Sequence, residues 1–262
     1  MNNFRTAYLT IDDGPSKFML DKIEFLLKNR IPAVFFCCGS RIEKRFDVVV
    51  NAIKSGYIIG NHSYSHKPFS EISLDECVTE IRLTDEIIEE AYRVAGVTRV
   101  LRLFRFPFGD KGGLNGPDVY ADYSIDGYRR KNYLQAYLKE LGYTQIDMSL
   151  VTYPFLRDYN LTEDVDCYWT YDTLDWSIPS KNPIGGVHSL SSAFARMDLD
   201  EPLNRKGLNS GSSEEIVLIH DQPCTHEYFN PLVSYIMKEK RFNFKLPNIK
   251  TADLLQVDGT QD

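Results

Sequence analysis

The chain has 262 residues, of which 43% are hydrophobic, and its 37 acidic side chains outnumber 30 basic ones for a formal charge of −7. That balance argues against nucleic acid or an anionic membrane surface as the main partner, because both reward a basic face. With no apolar run of about 18 residues, a membrane span is excluded as well.

No local basic stripe offsets the acidity: Arg99, Arg102 and Arg105 alternate with apolar residues, and Arg129-Arg130-Lys131 reads as the solvated start of a helix. The five cysteines are scattered without metal-site spacing and read as reduced, packed thiols. Met1 to Arg5 leads into strand-like sequence without the apolar core of a signal peptide, so the expected location is cytoplasmic. A secreted chain trimmed of its leader would begin the same way.

In chain order, residues 6–12 form a short apolar run that ends in Asp12-Asp13-Gly14-Pro15. Helical spacing follows from about Phe18 to Arg30, with Leu20, Ile23, Phe25, Leu26 and Leu27 on one broad face. Ala33 to Cys38 reads as a buried strand closed by Gly39 and Ser40, Phe46 to Lys54 as a helix stopped by Gly56, and Tyr57 to His62 as a third strand. A long helix over 74–95 has Ser73 as its cap and Glu76 at the capping-box position. A strand through Leu101, Leu103 and Phe104 then runs into Arg105-Phe106-Pro107-Phe108-Gly109.

Residues 110–127 lack periodicity and read as a long loop. The pattern resumes with a helix at 129–141, a strand at 143–148, a less legible stretch to Asp166, and a strand from Cys167 to Asp172. A helix at 188–196, a loop at 198–213, a clear strand at 216–221, a helix at 228–240 and a polar tail from Val257 complete the chain. Strands separated by helices of this length imply βαβ units with a parallel sheet. Without repeats or a low-complexity linker, one domain over 1–262 is expected.

Each clear strand finishes in chemistry: Asp12-Asp13, His62, Arg105, Asp172 to Trp176, and His220-Asp221. In parallel α/β barrels the active site gathers at the C-terminal strand ends, where residues distant in sequence converge. Adjacent carboxylates are costly unless a cation or donor takes up their charge. His62-Ser63-Tyr64-Ser65-His66 places two imidazoles four apart, a spacing that suits one side of a helical turn and a divalent ion. Imidazoles with one carboxylate and open positions for water favour a catalytic site, most naturally for zinc.

The five motifs Thr10-Ile11-Asp12-Asp13-Gly14-Pro15, His62-Ser63-Tyr64-Ser65-His66, Arg105-Phe106-Pro107-Phe108-Gly109, Asp172-Thr173-Leu174-Asp175-Trp176 and Leu218-Ile219-His220-Asp221 span residues 10–221. Together and in this order they resemble the NodB-type polysaccharide deacetylases, carbohydrate esterase family 4. The resemblance implies a distorted (β/α)7 barrel, and the long aperiodic segments of this chain add loops around the C-terminal strand ends. The resemblance also implies metal-dependent removal of an N-acyl group, usually acetyl, from an amino sugar, oligosaccharide or glycoconjugate. The expected cofactor is one divalent ion, Zn2+ first, with Co2+ or another divalent ion as alternatives.

Carried over residue by residue, the resemblance assigns Asp13, His62 and His66 to the metal. Asp12 becomes the general base, held by Arg105, and His220 the general acid, its charged form favoured by Asp175. It gives the backbone N–H of Phe108 to the oxyanion, and Trp176 and Leu218 to the wall of the acyl pocket. Asp172 would contact a neighbouring motif or cap a turn, while His188 and His226 fit no motif.

Two departures, Ile11 for a frequent Phe and Phe108 for a common Tyr, keep apolar side chains and spare the chemistry. The segments 110–127, 149–166 and 178–213 follow strand ends and are expected to wall the site. Among them Tyr120, Tyr123, Tyr128, Tyr153 and Tyr159 are candidates to stack on sugar rings, an arrangement suited to a short or single-sugar substrate. Two other readings stay open: hydrolysis of an N-formyl sugar or a cyclic imide on the same barrel, and a catalytically silent carbohydrate-binding protein.

Overall fold

The computed structural model describes residues 4–113, 124–200, 207–209 and 213–247. Its elements follow one another as β1 (Arg5–Gly14), α1 (Met19–Lys28), β2 (Val34–Cys37), α2 (Gly39–Lys44), α3 (Phe46–Lys54), β3 (Ile58–Asn61) and α4 (Leu74–Ala95). Then come α5 (Ile125–Glu140), α6 (Pro154–Asp158), β4 (Tyr171–Asp172), α7 (Leu190–Met197), β5 (Glu215–His220), α8 (His226–Lys238) and β6 (Phe242–Phe244). The strands pair in parallel in the order β3-β2-β1-β5-β4, and β6 joins the start of β1 on its β2 side.

The two-residue period of the central strand sorts its side chains between two environments. Ala7, Leu9 and Ile11 join Phe35, Cys37, Val217 and Ile219 in the core under α1, α3, α7 and α8. Tyr8 instead joins Val34, Phe36 and Ile216 in a second core on the other face. Asp12 therefore shares its face with Tyr8 and Thr10, and β5 brings His220 into register beside it. One slip of register would send every one of these groups to the helix side.

Between β3 and β4 the ring is held by single connections rather than by long strands. Phe104 forms an isolated bridge with Asn61, Cys167 N–H donates to the Phe104 carbonyl at 2.7 Å, and Thr170 N–H to that of Ile216 at 2.9 Å. The expected strand at 101–104 is thus reduced to one bridged residue, and that at 167–172 to its last two residues. The expected strand at 143–148 is likewise reduced to a bridge residue at Ile146, with Thr144 N–H donating to the Arg102 carbonyl at 3.0 Å. These are the irregular strands of a distorted (β/α)7 barrel, the fold expected from the motifs.

The expected capping box at α4 is present: Ser73 Oγ accepts from Glu76 N–H at 3.2 Å, and the Glu76 carboxylate accepts from Ser73 N–H at 2.8 Å. Two short helices add to the expected elements, α2 beginning at Gly39 itself and α6 inside the less legible stretch. The reading of residues 129–131 as a solvated start also changes. The helix begins earlier, at Ile125. Arg130 donates to the carbonyls of Phe69, at 2.7 Å, and Ile72, while Lys131 is buried and pairs with Asp164 at 2.9 Å. No helix among the described residues is long and apolar enough to cross a membrane.

Candidate active site

At the C-terminal ends of the strands lies a pocket of about 910 Å³. Asp12, Asp13, His62, His66, Phe108, Asp172, Trp176, Leu218 and His220 line it, together with Trp169, Ile184 and Gln222. Five segments separated by as much as 210 residues thus converge as the barrel topology requires.

Asp12 is buried, and its Oδ1 accepts from Arg105 Nη1 at 2.8 Å. The guanidinium is itself held on several sides. Nη1 also reaches Thr10 Oγ1 at 2.8 Å, Nε donates to the Cys167 carbonyl at 2.9 Å, and the Phe36 ring lies 4.3 Å below. Arg105 is therefore a buried guanidinium whose Nη1 fixes one Asp12 oxygen. The other, Oδ2, faces His62 Nε2 at 3.7 Å.

Asp13 sits in the left-handed region at φ 70°. Burial would raise its pKa, but His66, then His220 and His62, hold the carboxyl well below the usual carboxylate range. Oδ2 accepts from Gln222 Nε2 at 2.6 Å. Oδ1 is buried and accepts no hydrogen bond, although His66 Nε2 stands 2.8 Å away and His62 Nε2 3.8 Å away. The candidate ligand atoms of the three residues lie within 4.8 Å of one another. A cation between an orphaned carboxylate oxygen and two imidazoles would satisfy all three, so these residues fit a divalent ion.

The imidazoles are prepared for that task. His62 Nδ1 lies 2.8 Å from the Arg105 carbonyl, which fixes the tautomer with the proton on Nδ1 and leaves Nε2 free as a ligand atom. Burial, opposed by Asp12, pulls the His62 pKa down to about 4, so the ring is neutral near pH 7. The segment that carries the pair is not the helical turn expected from the spacing. Ser63 and His66 both adopt φ 62°, and Ser63 Oγ accepts from His66 N–H at 3.1 Å, folding the chain back so that both rings face Asp13.

His220 stands on β5 as the register partner of Asp12. Its Nδ1 lies 2.8 Å from Asp175 Oδ1, and its backbone N–H donates to Oδ2 of the same carboxylate at 3.0 Å. Burial opposes the charged ring, but Asp175 outweighs it and lifts the His220 pKa to about 10. Asp172 lies beside this pair and caps a turn, its Oδ1 accepting from Leu174 N–H at 2.8 Å. Phe108, at φ 59° and 55% exposed, presents its ring edge-on to His66 at 4.6 Å.

Among the residues expected to meet sugar, Tyr120 and Tyr123 lie outside the described residues, and Tyr128, Tyr153 and Tyr159 are not among those lining the pocket. Tyr153 instead donates to Glu215 and borders a separate cavity of about 420 Å³. His188 is exposed and His226 stacks on Phe18 at 4.0 Å, both away from the lining. Trp169, Ile184 and Gln222 line the pocket from outside the five motifs. Trp169 adjoins a strand end, whereas nothing in the local pattern marks Ile184 or Gln222.

Residues 2–146 match the family model described as polysaccharide deacetylase. The chain belongs to the polysaccharide deacetylase family. A peptidoglycan-N-acetylglucosamine deacetylase of Bacillus cereus is 24% identical over 241 residues, covering 92% of this chain and 68% of the relative. A chitin deacetylase of Cryptococcus neoformans is 33% identical over 102 residues, covering 39% of this chain and 21% of that protein. Among solved structures, a family 4 carbohydrate esterase from Streptomyces lividans in complex with acetate superposes with a TM-score of 0.57 at 18% identity, covering 94% of each chain. A family 4 pseudoenzyme from Bacillus anthracis gives 0.54 at 18% identity, covering 93% of this chain and 64% of that one. The fold is thus shared by active and inactive proteins, and the side chains in the pocket must decide between them.

Proposed function

We propose that the protein is a divalent-metal-dependent hydrolase that removes the N-acetyl group from an amino sugar of a polysaccharide or glycoconjugate. The observation that carries this reading is a complete acid–base set lining one pocket. Asp12 is tethered by Arg105 and His220 is held charged by Asp175, and Asp13, His62 and His66 line the same pocket. Relatives named as peptidoglycan, chitin and chitooligosaccharide deacetylases support the substrate class.

A divalent ion held by Asp13, His62 and His66 would supply Lewis acidity to a water molecule and to the acyl oxygen. Asp12 Oδ2, the oxygen not tied to Arg105, takes the proton of the attacking water as its oxygen adds to the acyl carbon. His220 Nε2 then gives a proton to the departing amine as the carbon–nitrogen bond breaks, leaving acetate and the free amino sugar. The Phe108 backbone N–H is assigned to the developing oxyanion. Leu218 and Trp176 form the apolar seat of the acyl methyl group. A catalytically silent binder has no use for a charged His220 facing a tethered Asp12.

The test is acetate release from N-acetylated chito-oligosaccharides by wild-type protein and an Asp12→Ala variant. The variant is expected to keep its metal while turnover falls about 10²–10⁴-fold, the usual worth of a general base. Unchanged turnover would remove Asp12 from that role. An N-formyl amino sugar assayed in parallel distinguishes the neighbouring amide chemistry.

A further inference from the structure

The turn that presents His62 and His66 needs support beyond its own Ser63–His66 hydrogen bond, because Ser63 and His66 both lie in the left-handed region, which side chains larger than glycine rarely adopt. Between them, the backbone N–H groups of Tyr64 and Ser65 converge on one acceptor. Both donate to Oε2 of Glu80, at 2.9 and 2.6 Å, and Ser65 Oγ donates to Oε1 at 2.6 Å. Glu80 is buried on α4, in the same stripe as Cys77, Ile81, Thr84 and Ile88. It is not a member of the Asp13, His62 and His66 cluster.

We infer that Glu80 is a positioning residue for cation binding, holding the His62–His66 turn in its ligand-presenting form through three hydrogen bonds. The carboxylate is anchored to a 22-residue helix, so the turn inherits the rigidity of that helix. What matters in this arrangement is reach rather than charge. A glutamine can offer one oxygen to both N–H groups and its NH2 to the Ser65 hydroxyl, which then accepts instead of donating. An aspartate keeps the charge but stops one methylene short of the turn.

The inference rests on the reading of Asp13, His62 and His66 as the cation site. The experiment is Co2+ titration of stripped full-length protein, read by the visible absorption of the bound ion and by chelator competition, with far-UV circular dichroism recorded on every variant. Wild-type protein tests the site: one tight Co2+ is expected, and its absence overturns both the site and the inference. With wild-type binding in hand, Glu80→Asp is expected to weaken Co2+ affinity about 10–100-fold and to alter the absorption bands, the usual consequence of losing a group that orients a ligand. Glu80→Gln is expected to stay within about threefold of wild type. Wild-type affinity and spectrum in a folded Glu80→Asp protein, or a tenfold loss in Glu80→Gln without one in Glu80→Asp, would overturn the role of Glu80 and leave the cation site standing.

Discussion

At the scale of single residues the pocket separates two neighbouring aspartates by what each oxygen touches. Asp12 gives one oxygen to Arg105, whereas Asp13 gives one to Gln222 and keeps the other buried without a hydrogen bond. The same logic applies to the two kinds of histidine, since burial neutralises His62 while Asp175 overcomes burial at His220. A general acid must be protonated, and a pKa lifted to about 10 keeps His220 protonated at every pH below that value. Replacing Asp175 by Asn removes the main support for the charge. The alkaline limb of the kcat/KM profile should then move down toward the ordinary histidine range, with activity near pH 8 falling at least tenfold. An unchanged limb would show that another group supplies the leaving-group proton. The residue types of this set were legible in the sequence because each stands at a strand end. Gln222 was not, since only the fold brings it back to Asp13.

At the scale of elements, helices α1 and α4 each carry one charged side chain in a mostly apolar buried stripe, and both serve the strand ends. On α1, Lys22 lies with Met19, Ile23 and Leu26 in the buried face. Its Nζ reaches Asp221 Oδ1 at 2.7 Å and the His220 carbonyl at 3.2 Å, while Asp221 also accepts from Ser16 N–H at 2.7 Å and Ser16 Oγ at 2.6 Å. The chain after β5 is thereby tied to the chain after β1. Removing one partner of a buried pair strands the other charge, so Lys22→Met should cost about 3–5 kcal/mol in denaturant unfolding. A loss below about 1 kcal/mol would mean that Ser16 alone satisfies Asp221. Lys22 was readable in principle, because its neighbours at three and four residues, Phe18, Met19, Phe25 and Leu26, are all apolar, whereas Glu80 has Cys77 and Leu83 but also Glu76 and Thr84 at that spacing. Helical periodicity read only for its apolar members passes over both Lys22 and Glu80.

For the whole molecule, the parallel sheet and most of its helices were legible because buried strands make continuous apolar runs and the connecting helices have clear faces. The closing side of the barrel was not. Its strands at 104 and 171–172 are one and two residues long, and their alignment depends on distant partners rather than on local alternation. The opposite end of the sheet holds a different titration. Glu215, at the start of β5, is pushed up to about 7 by burial, against the opposing hydrogen bonds of Thr170 and Tyr153. Because its folded pKa exceeds the unfolded value, the folded state binds the extra proton. The favourable contribution is complete below about pH 4.5 and is lost as pH rises through 7, by about 3 kcal/mol in all. Glu215→Gln should flatten that part of the stability–pH curve, and an equal slope in wild type and variant would place the titration elsewhere.

The protein as a whole is read as a metal-dependent N-deacetylase, and one measurement addresses that claim most directly. Metal-stripped protein is mixed with an N-acetylated chito-oligosaccharide, and acetate is followed before and after stoichiometric Zn2+ or Co2+ is returned. The account predicts no release from the stripped protein and restored release with the ion. Equal release in the presence of excess chelator, or a metal-loaded protein that frees no acetate from N-acetylated chito-oligosaccharide or peptidoglycan, would contradict it.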